Sequence, residues 1–253
     1  MCGRFAVTTD PAALAEKIEA INETRASTVA EQSAVPAPNY NVAPTTAIAT
    51  VVCRYGESGE EQPARRVRMM RWGLIPSWAK AGPDGAPEST SPRLINARAE
   101  KVTASPAFRL SAKFKRCLVP MDGYYEWRAN PAAESGKKPG KTPFYMYRAD
   151  GEMLFMAGLW SVWKNSGSPS AVPLTSCTII TTDAVGELAG IHHRMPLIVA
   201  ERDWDRWLDP DAPPDLALLS GPPDVRDIRM REISTLVNNV RNNGPELLVA
   251  AEP

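Results

Sequence analysis

Cys2 stands directly behind Met1 in the opening run Met1-Cys2-Gly3-Arg4. If an aminopeptidase removes Met1, which a small second residue permits, Cys2 carries an α-amine and a thiol on adjacent carbons, a 1,2-aminothiol. An aldehyde meeting that pair condenses with the amine to a Schiff base and then accepts the thiol, closing a five-membered thiazolidine ring. Neither group alone gives so lasting an adduct. An α-amino group titrates near ~7.7 to 8.0, so a neutral fraction exists at cellular pH; a lysine, near ~10.4, needs burial or a cationic neighbour to match it. A cysteine at position 2 also arises by accident, so the remaining residues have to weigh for or against this chemistry.

The chain has two histidines, and they are adjacent, in Ile191-His192-His193-Arg194-Met195-Pro196. On a strand neighbours point to opposite faces, so the two are not expected to serve one proton together. One is a candidate acid or base near neutral pH and the other is expected to be solvated. No further ligand cluster accompanies them, which argues against a metal site. In Gly123-Tyr124-Tyr125-Glu126-Trp127, Glu126 lies among three aromatic residues. It is either a solvent-facing strand residue or a partly desolvated acid, and its neighbours leave both open. Trp72 and Trp78 flank a proline-broken loop just after arginines 65, 66, 68 and 71. Two such tryptophans are either core packing or a stacking surface for unpaired bases beside a phosphate-binding stripe.

Composition limits the classes. Lys plus Arg and Asp plus Glu are both 29, so no global field draws the protein to polyanions and any nucleic-acid contact must be a local patch. The four cysteines, Cys2, Cys53, Cys117 and Cys177, are far apart, which indicates neither a zinc site nor a disulfide framework and fits a reducing, cytoplasmic compartment. No apolar run approaches the ~18 residues of a membrane span, and no secretory signal is read at the N-terminus. No glycine-rich phosphate loop is present, so no nucleotide cofactor is expected.

At 253 residues one domain is expected, covering residues 1–253. Asp10-Pro11 caps a short helix, and residues 39–44 should run extended ahead of Pro44. Ala47–Tyr55 and Arg65–Trp72 read as strands around the turn 56–59. Residues 79–93 form a loop ending at Asn96-Ala97-Arg98-Ala99-Glu100. Ser105-Pro106 starts another helix with a basic end. Pro143–Arg148 and Leu154–Trp160 read as a hairpin through Asp150-Gly151. The strand Cys177–Thr181 follows, then a helical turn over 184–189. A helix over Glu201–Leu208 packs Trp204 and Trp207 on the core. A helical turn over 215–220 and a strand over 228–233 precede a closing loop.

Met1-Cys2-Gly3-Arg4-Phe5, Trp72-Gly73-Leu74-Ile75-Pro76-Ser77-Trp78, Asn96-Ala97-Arg98 and the His192-His193-Arg194-Met195-Pro196 run, with Gly123–Trp127 between them, closely resemble the SOS response-associated peptidase family in order and spacing. The resemblance spans almost the entire chain. It implies a single β-rich α+β domain with a curved, barrel-like sheet and a positively charged cleft. It implies a protein that binds single-stranded DNA and covalently traps abasic sites through a thiazolidine at Cys2. Cys2, Asn96, Glu126 and His192 would form the active site. Arg4, Arg98 and Arg194 would contact phosphates, with Trp72 and Trp78 stacking beside the lesion. No metal or cofactor is implied, and a cytoplasmic monomer that joins the nucleoid when bound to DNA is expected. His193 departs from the pattern, because the family often has an acidic residue there. Two rival readings share these residues: a cysteine peptidase with Cys2 as nucleophile, and a non-catalytic reader of single-stranded or modified DNA.

Overall fold

The computed structural model describes residues 2–24, 37–56, 61–88, 94–131, 140–168 and 170–251. The chain opens with strand β1 (Arg4–Val7), helix α1 (Pro11–Lys17), β2 (Ile21–Asn22), β3 (Asn39–Val42), β4 (Ala47–Arg54) and β5 (Ala64–Trp72). There follow β6 (Asn96–Arg98), α2 (Arg109–Phe114), β7 (Arg116–Met121), β8 (Gly123–Ala129), β9 (Lys141–Arg148), β10 (Leu154–Trp163) and β11 (Leu174–Asp183). The last elements are β12 (Arg194–Pro196), α3 (Trp204–Leu208), α4 (Leu216–Ser220) and β13 (Ile228–Glu232). The protein is thus β-rich with short helices. Among the described residues no helix is long and apolar enough to cross a membrane.

Two sheets organise the strands. One runs β13-β9-β8-β1-β3; the other runs β12-β11-β10-β7-β4-β5-β2, with β6 also paired to β11. The second sheet curls until β5 meets β11 in parallel, Arg71 opposite Ser176 and Trp72 opposite Cys177. Strands β11, β10, β7, β4 and β5 therefore close a small ring. Alternation along these strands divides the core, as a period of two requires. Ile48, Val52, Met70, Trp72, Cys117, Val119, Met156, Cys177 and Ile179 share one cluster, which continues into Phe5, Val42, Tyr124 and Met146 of the first sheet. Their neighbours of opposite parity, among them Val51, Val67, Leu118, Phe155 and Ile180, pack against α1, α3 and α4 through Leu14, Ile18, Trp204, Trp207 and Leu219. The far face of the first sheet, Ala6, Tyr125 and Tyr145, is covered by Ile233, Val237 and Leu247. Gly158 on β10 marks the tight closure: a Cβ there would lie 2.8 Å from Cys117 Sγ and 2.9 Å from the Thr178 carbonyl oxygen.

The capped first helix forms as its sequence directs, with the Asp10 carboxylate accepting from the Ala12 and Ala13 N–H groups. Four local expectations are corrected. Residues 141–148 and 154–163 are not a hairpin: β9 pairs with β8 and β13, whereas β10 pairs with β7 and β11. The turn between them passes the chain from one sheet to the other, its Asp150 carboxylate accepting from Arg148 and the Glu152 N–H. The second helix starts at Arg109 rather than Ser105, with no side-chain cap, so the Ser-Pro signal marks only a turn before it. Asn96–Arg98 is a strand laid along β11 rather than a loop end, because Ile179–Thr181 supply a parallel ladder. His192 and His193 lie in a turn, not a strand, and their rings face one another. Parts of the expected loops over 27–45, 56–59, 79–93 and 130–142 lie outside the described residues.

Candidate active site

Cys2 is completely buried, just ahead of β1. That strand runs between β3 and β8, with Arg4 opposite Tyr125 and Phe5 opposite Tyr124. The Cys2 carbonyl accepts a 2.8 Å hydrogen bond from Asn96 Nδ2. Because β6 is zipped to β11, Asn96 ties the start of the chain to the wall of the ring. The other end of its amide, Oδ1, is buried and has no hydrogen-bond partner among the described residues. An acceptor held in this way is suited to a donor that arrives with a substrate or with a processed α-amine.

Glu126 sits on β8, opposite Phe144 of β9, and is 4% exposed. Of the two environments its sequence left open, the structure selects the desolvated one. Burial pushes the Cys2 thiol well above its ordinary range and the Glu126 carboxylate pushes it further; the amino terminus and the Arg4 backbone work the other way. The thiol is therefore held as S–H. His192 is shifted down, first by burial, with Glu126 opposing that shift. Both groups thus feel the same carboxylate. His192 Nδ1 lies 3.0 Å from the Arg194 amide nitrogen and 3.2 Å from the Arg194 carbonyl oxygen. It can accept from the first or donate to the second, so Nδ1 has a backbone partner in either tautomer.

That cleft has a volume of about 630 Å³. Gly3, Arg4, Glu126 and His192 line it, together with Trp127, Lys141 and Asn238. The last three were not singled out from sequence. Trp127 was quoted only as a neighbour of Glu126, and Lys141 is brought in by the pairing of β8 with β9, Ala129 opposite Lys141. Arg4 donates to Asn41 Oδ1 at 2.6 Å and to the carbonyls of Val237 and Asn238, and its guanidinium lies 5.9 Å from the Trp127 ring centre. Burial lowers its pKa from the ordinary arginine value. The cleft thus carries an acid, an imidazole, two cations and an aromatic ring, while the Cys2 thiol is buried next in the chain to the lining residue Gly3. Among the described residues no group of three or more His, Cys, Asp or Glu side chains could hold a metal ion.

The family model for SOS response associated peptidase (SRAP) matches residues 1–240. The chain belongs to the SRAP family. It is similar to the abasic site processing protein YoqW of Bacillus subtilis, 36% identical over 214 residues that cover 83% of this chain and 85% of the relative. The abasic site processing protein HMCES of Gallus gallus is 31% identical over 236 residues, 85% of this chain and 67% of that protein. A crystal structure of a protein from Bacteroides thetaiotaomicron superposes with a TM-score of 0.79 at 25% identity, covering 99% of this chain and 100% of the other.

Not every SRAP-motif residue reaches the cleft in this SRAP chain. Trp72 is fully buried, packed 5.1 Å from the Phe5 ring, with its Nε1 donating to the Ile95 carbonyl. It has no face left for a base, which corrects the expectation that it stacks beside a lesion. Arg194 is 6% exposed; it donates to Asp183, to Glu100 and to the Thr181 carbonyl, so its guanidinium is committed to protein acceptors rather than extended toward a phosphate. Its backbone, by contrast, orients His192. Arg98 is exposed and shares a strand face with Asn96 two residues away. Trp78 is 62% exposed but is not among the residues that line the cleft.

Proposed function

We propose that this protein processes abasic sites in single-stranded DNA by trapping them on Cys2 after loss of Met1. The observation that carries the reading is the placement of Cys2: buried, held through its carbonyl by Asn96, and in the field of Glu126, which lines one cleft with His192 and acts on that imidazole as well. The names of the relatives supply the substrate class.

An abasic deoxyribose is mostly a closed hemiacetal and shows no aldehyde to an amine. His192 assists opening by taking the proton of the anomeric hydroxyl and returning one to the ring oxygen as the bond between C1′ and that oxygen breaks; such proton transfer typically contributes ~10² to 10⁴-fold. Glu126 removes a proton from the α-ammonium of Cys2, and the free amine attacks C1′. The carbinolamine loses its hydroxyl as water, with Glu126 returning the proton. The Cys2 sulfur then adds to the C=N carbon, and its proton passes to the nitrogen. One water leaves overall. The protonated thiol sets this order, because a buried S–H is a poor nucleophile until an iminium forms beside it.

Arg98 and Lys141 fit phosphate contacts that hold the strand without reading its sequence, and Arg4, tied to Asn41, Val237 and Asn238, adds positive charge at the cleft. Trp127 is the aromatic surface at the cleft, in the place expected of Trp72. One monomer per lesion suffices. The peptidase reading is weaker, since burial and Glu126 both oppose the thiolate such an enzyme needs.

The test is mass spectrometry of protein lacking Met1, incubated with a single-stranded oligonucleotide bearing one abasic site. A denaturation-stable species weighing protein plus DNA minus water, absent with Cys2→Ala and with intact DNA, is expected. No adduct despite confirmed loss of Met1 would sink the reading.

A further inference from the structure

His193 is exposed while its neighbour borders the cleft, yet the two rings stack, with centroids 4.3 Å apart and planes inclined by 26°. Two protons on such a pair repel: unit charges about 4 Å apart interact by an amount worth roughly 0.7 of a pKa unit even at the dielectric constant of water. His192 also lies in the field of Glu126, a buried carboxylate that favours the imidazolium. An imidazole locked beside a carboxylate as its cation could not accept a proton from a sugar hydroxyl. Something has to counter that carboxylate.

We propose that His193 is a positioning residue that acts through His192: a proton on His193 opposes one on the stacked ring, keeping His192 neutral and its Nε2 able to accept a proton in more acidic solution than Glu126 alone would allow. Its meaning for catalysis rests on the abasic-site reading above. Among the described residues, Glu126 comes from β8 and favours the cation, whereas the positive amino terminus works with His193. Arg194 contributes its backbone N–H and carbonyl to Nδ1, and Arg4 and Lys141 line the same cleft. The net direction at His192 is downward, led by burial and aided by the amino terminus and, last, His193, against Glu126 and the Arg194 backbone hydrogen bond.

Because the chain has only two histidines, nitrogen-detected NMR of the imidazoles reads the coupling directly, without DNA. Three variants of the full chain lacking Met1 separate charge from stacking. His193→Phe keeps a ring without a charge, His193→Gln removes both, and His193→Glu places an anion there. The His192 midpoint should rise by about half a unit in His193→Phe and His193→Gln, and further in His193→Glu. The acid limb of the crosslinking rate should move to higher pH in the same order. A His192 midpoint within about 0.1 unit of wild type in all folded variants would overturn the proposal. So would an NMR shift that leaves the acid limb in place. Failure of the wild type to crosslink at any pH would instead refute the abasic-site reading, while the NMR titration would still decide whether the rings are coupled.

Discussion

Trp72→Phe tests whether the indole serves the core or a surface that stacks on DNA bases. The indole is completely buried in the ring of strands, so the shorter side chain leaves a void. A phenyl ring is roughly 40 Å³ smaller, which at about 24 cal/mol per Å³ costs about 1 kcal/mol in cavity energy. The hydrogen bond from Nε1 to the Ile95 carbonyl is lost as well. That oxygen keeps the Ile179 N–H as a donor at 3.0 Å, so the loss stays near the ordinary net value of ~0.5–1.5 kcal/mol rather than that of a stranded acceptor. Together the substitution should lower stability by about 2 kcal/mol, a fall in Tm of roughly 4–8 °C for a chain of this size. Calorimetry or urea denaturation measures this, and fluorescence anisotropy with a labelled single strand measures binding of the folded variant. Binding should change by less than about twofold, whereas loss of a stacked base would cost ~1–3 kcal/mol. A variant as stable as wild type but at least about tenfold weaker for DNA would refute the burial reasoning.

Three further outcomes follow from the same geometry. Asn96→Ala removes the hydrogen bond to the Cys2 carbonyl and should slow adduct formation by about 2- to 12-fold in single-turnover assays, with stability lower by ~1–3 kcal/mol because a buried carbonyl loses that donor; a loss of rate beyond roughly a thousandfold would mean Asn96 does more than orient the amine. Arg194→Ala leaves its carboxylate partners largely solvated, 49% and 87% exposed, so the main loss is the donor to the Thr181 carbonyl. Stability should fall by ~1–3 kcal/mol in urea titrations, and unchanged stability with weakened DNA binding would instead make Arg194 a phosphate ligand. For Glu23, burial would raise the pKa, but hydrogen bonds from Arg54 and Arg66 outweigh it and hold the carboxylate below its ordinary 4.5. Its folded pKa is depressed, so its contribution is full above that ordinary value and is lost as the pH falls through the lower folded value. Urea midpoints from about pH 6 to pH 3 should therefore decline less steeply in Glu23→Gln; identical slopes would count against it.

What could be read from sequence was what local physics decides. The runs Ala47–Tyr55 and Arg65–Trp72 read as strands on either side of a polar turn and are found at Ala47–Arg54 and Ala64–Trp72, and Asp10-Pro11 read as the cap of a helix that forms, because β-propensity and capping act within a few residues. The hairpin assigned to 143–160 failed for a complementary reason. An Asp-Gly turn fixes a reversal of direction but not which sheet receives the next strand, and here closure of the ring through β5 and β11 draws β10 away from β9. The candidate site divides along the same line. Cys2, Glu126 and His192 stood out by their functional groups, whereas Asn96 came only with the family resemblance. The cleft rim was not legible, since Lys141 enters only through the register of β8 on β9, and Asn238 only through a carbonyl bonded to Arg4 from 234 residues away. Trp72 shows the limit in reverse. Trp72 shares its parity with Arg66, Arg68 and Met70, so the run alone leaves the direction of that face open, and the closed ring of strands turns the indole inward beside Met70. A motif names the side chains that matter, and the parity of the strand carrying each one determines whether it faces the core or the cleft.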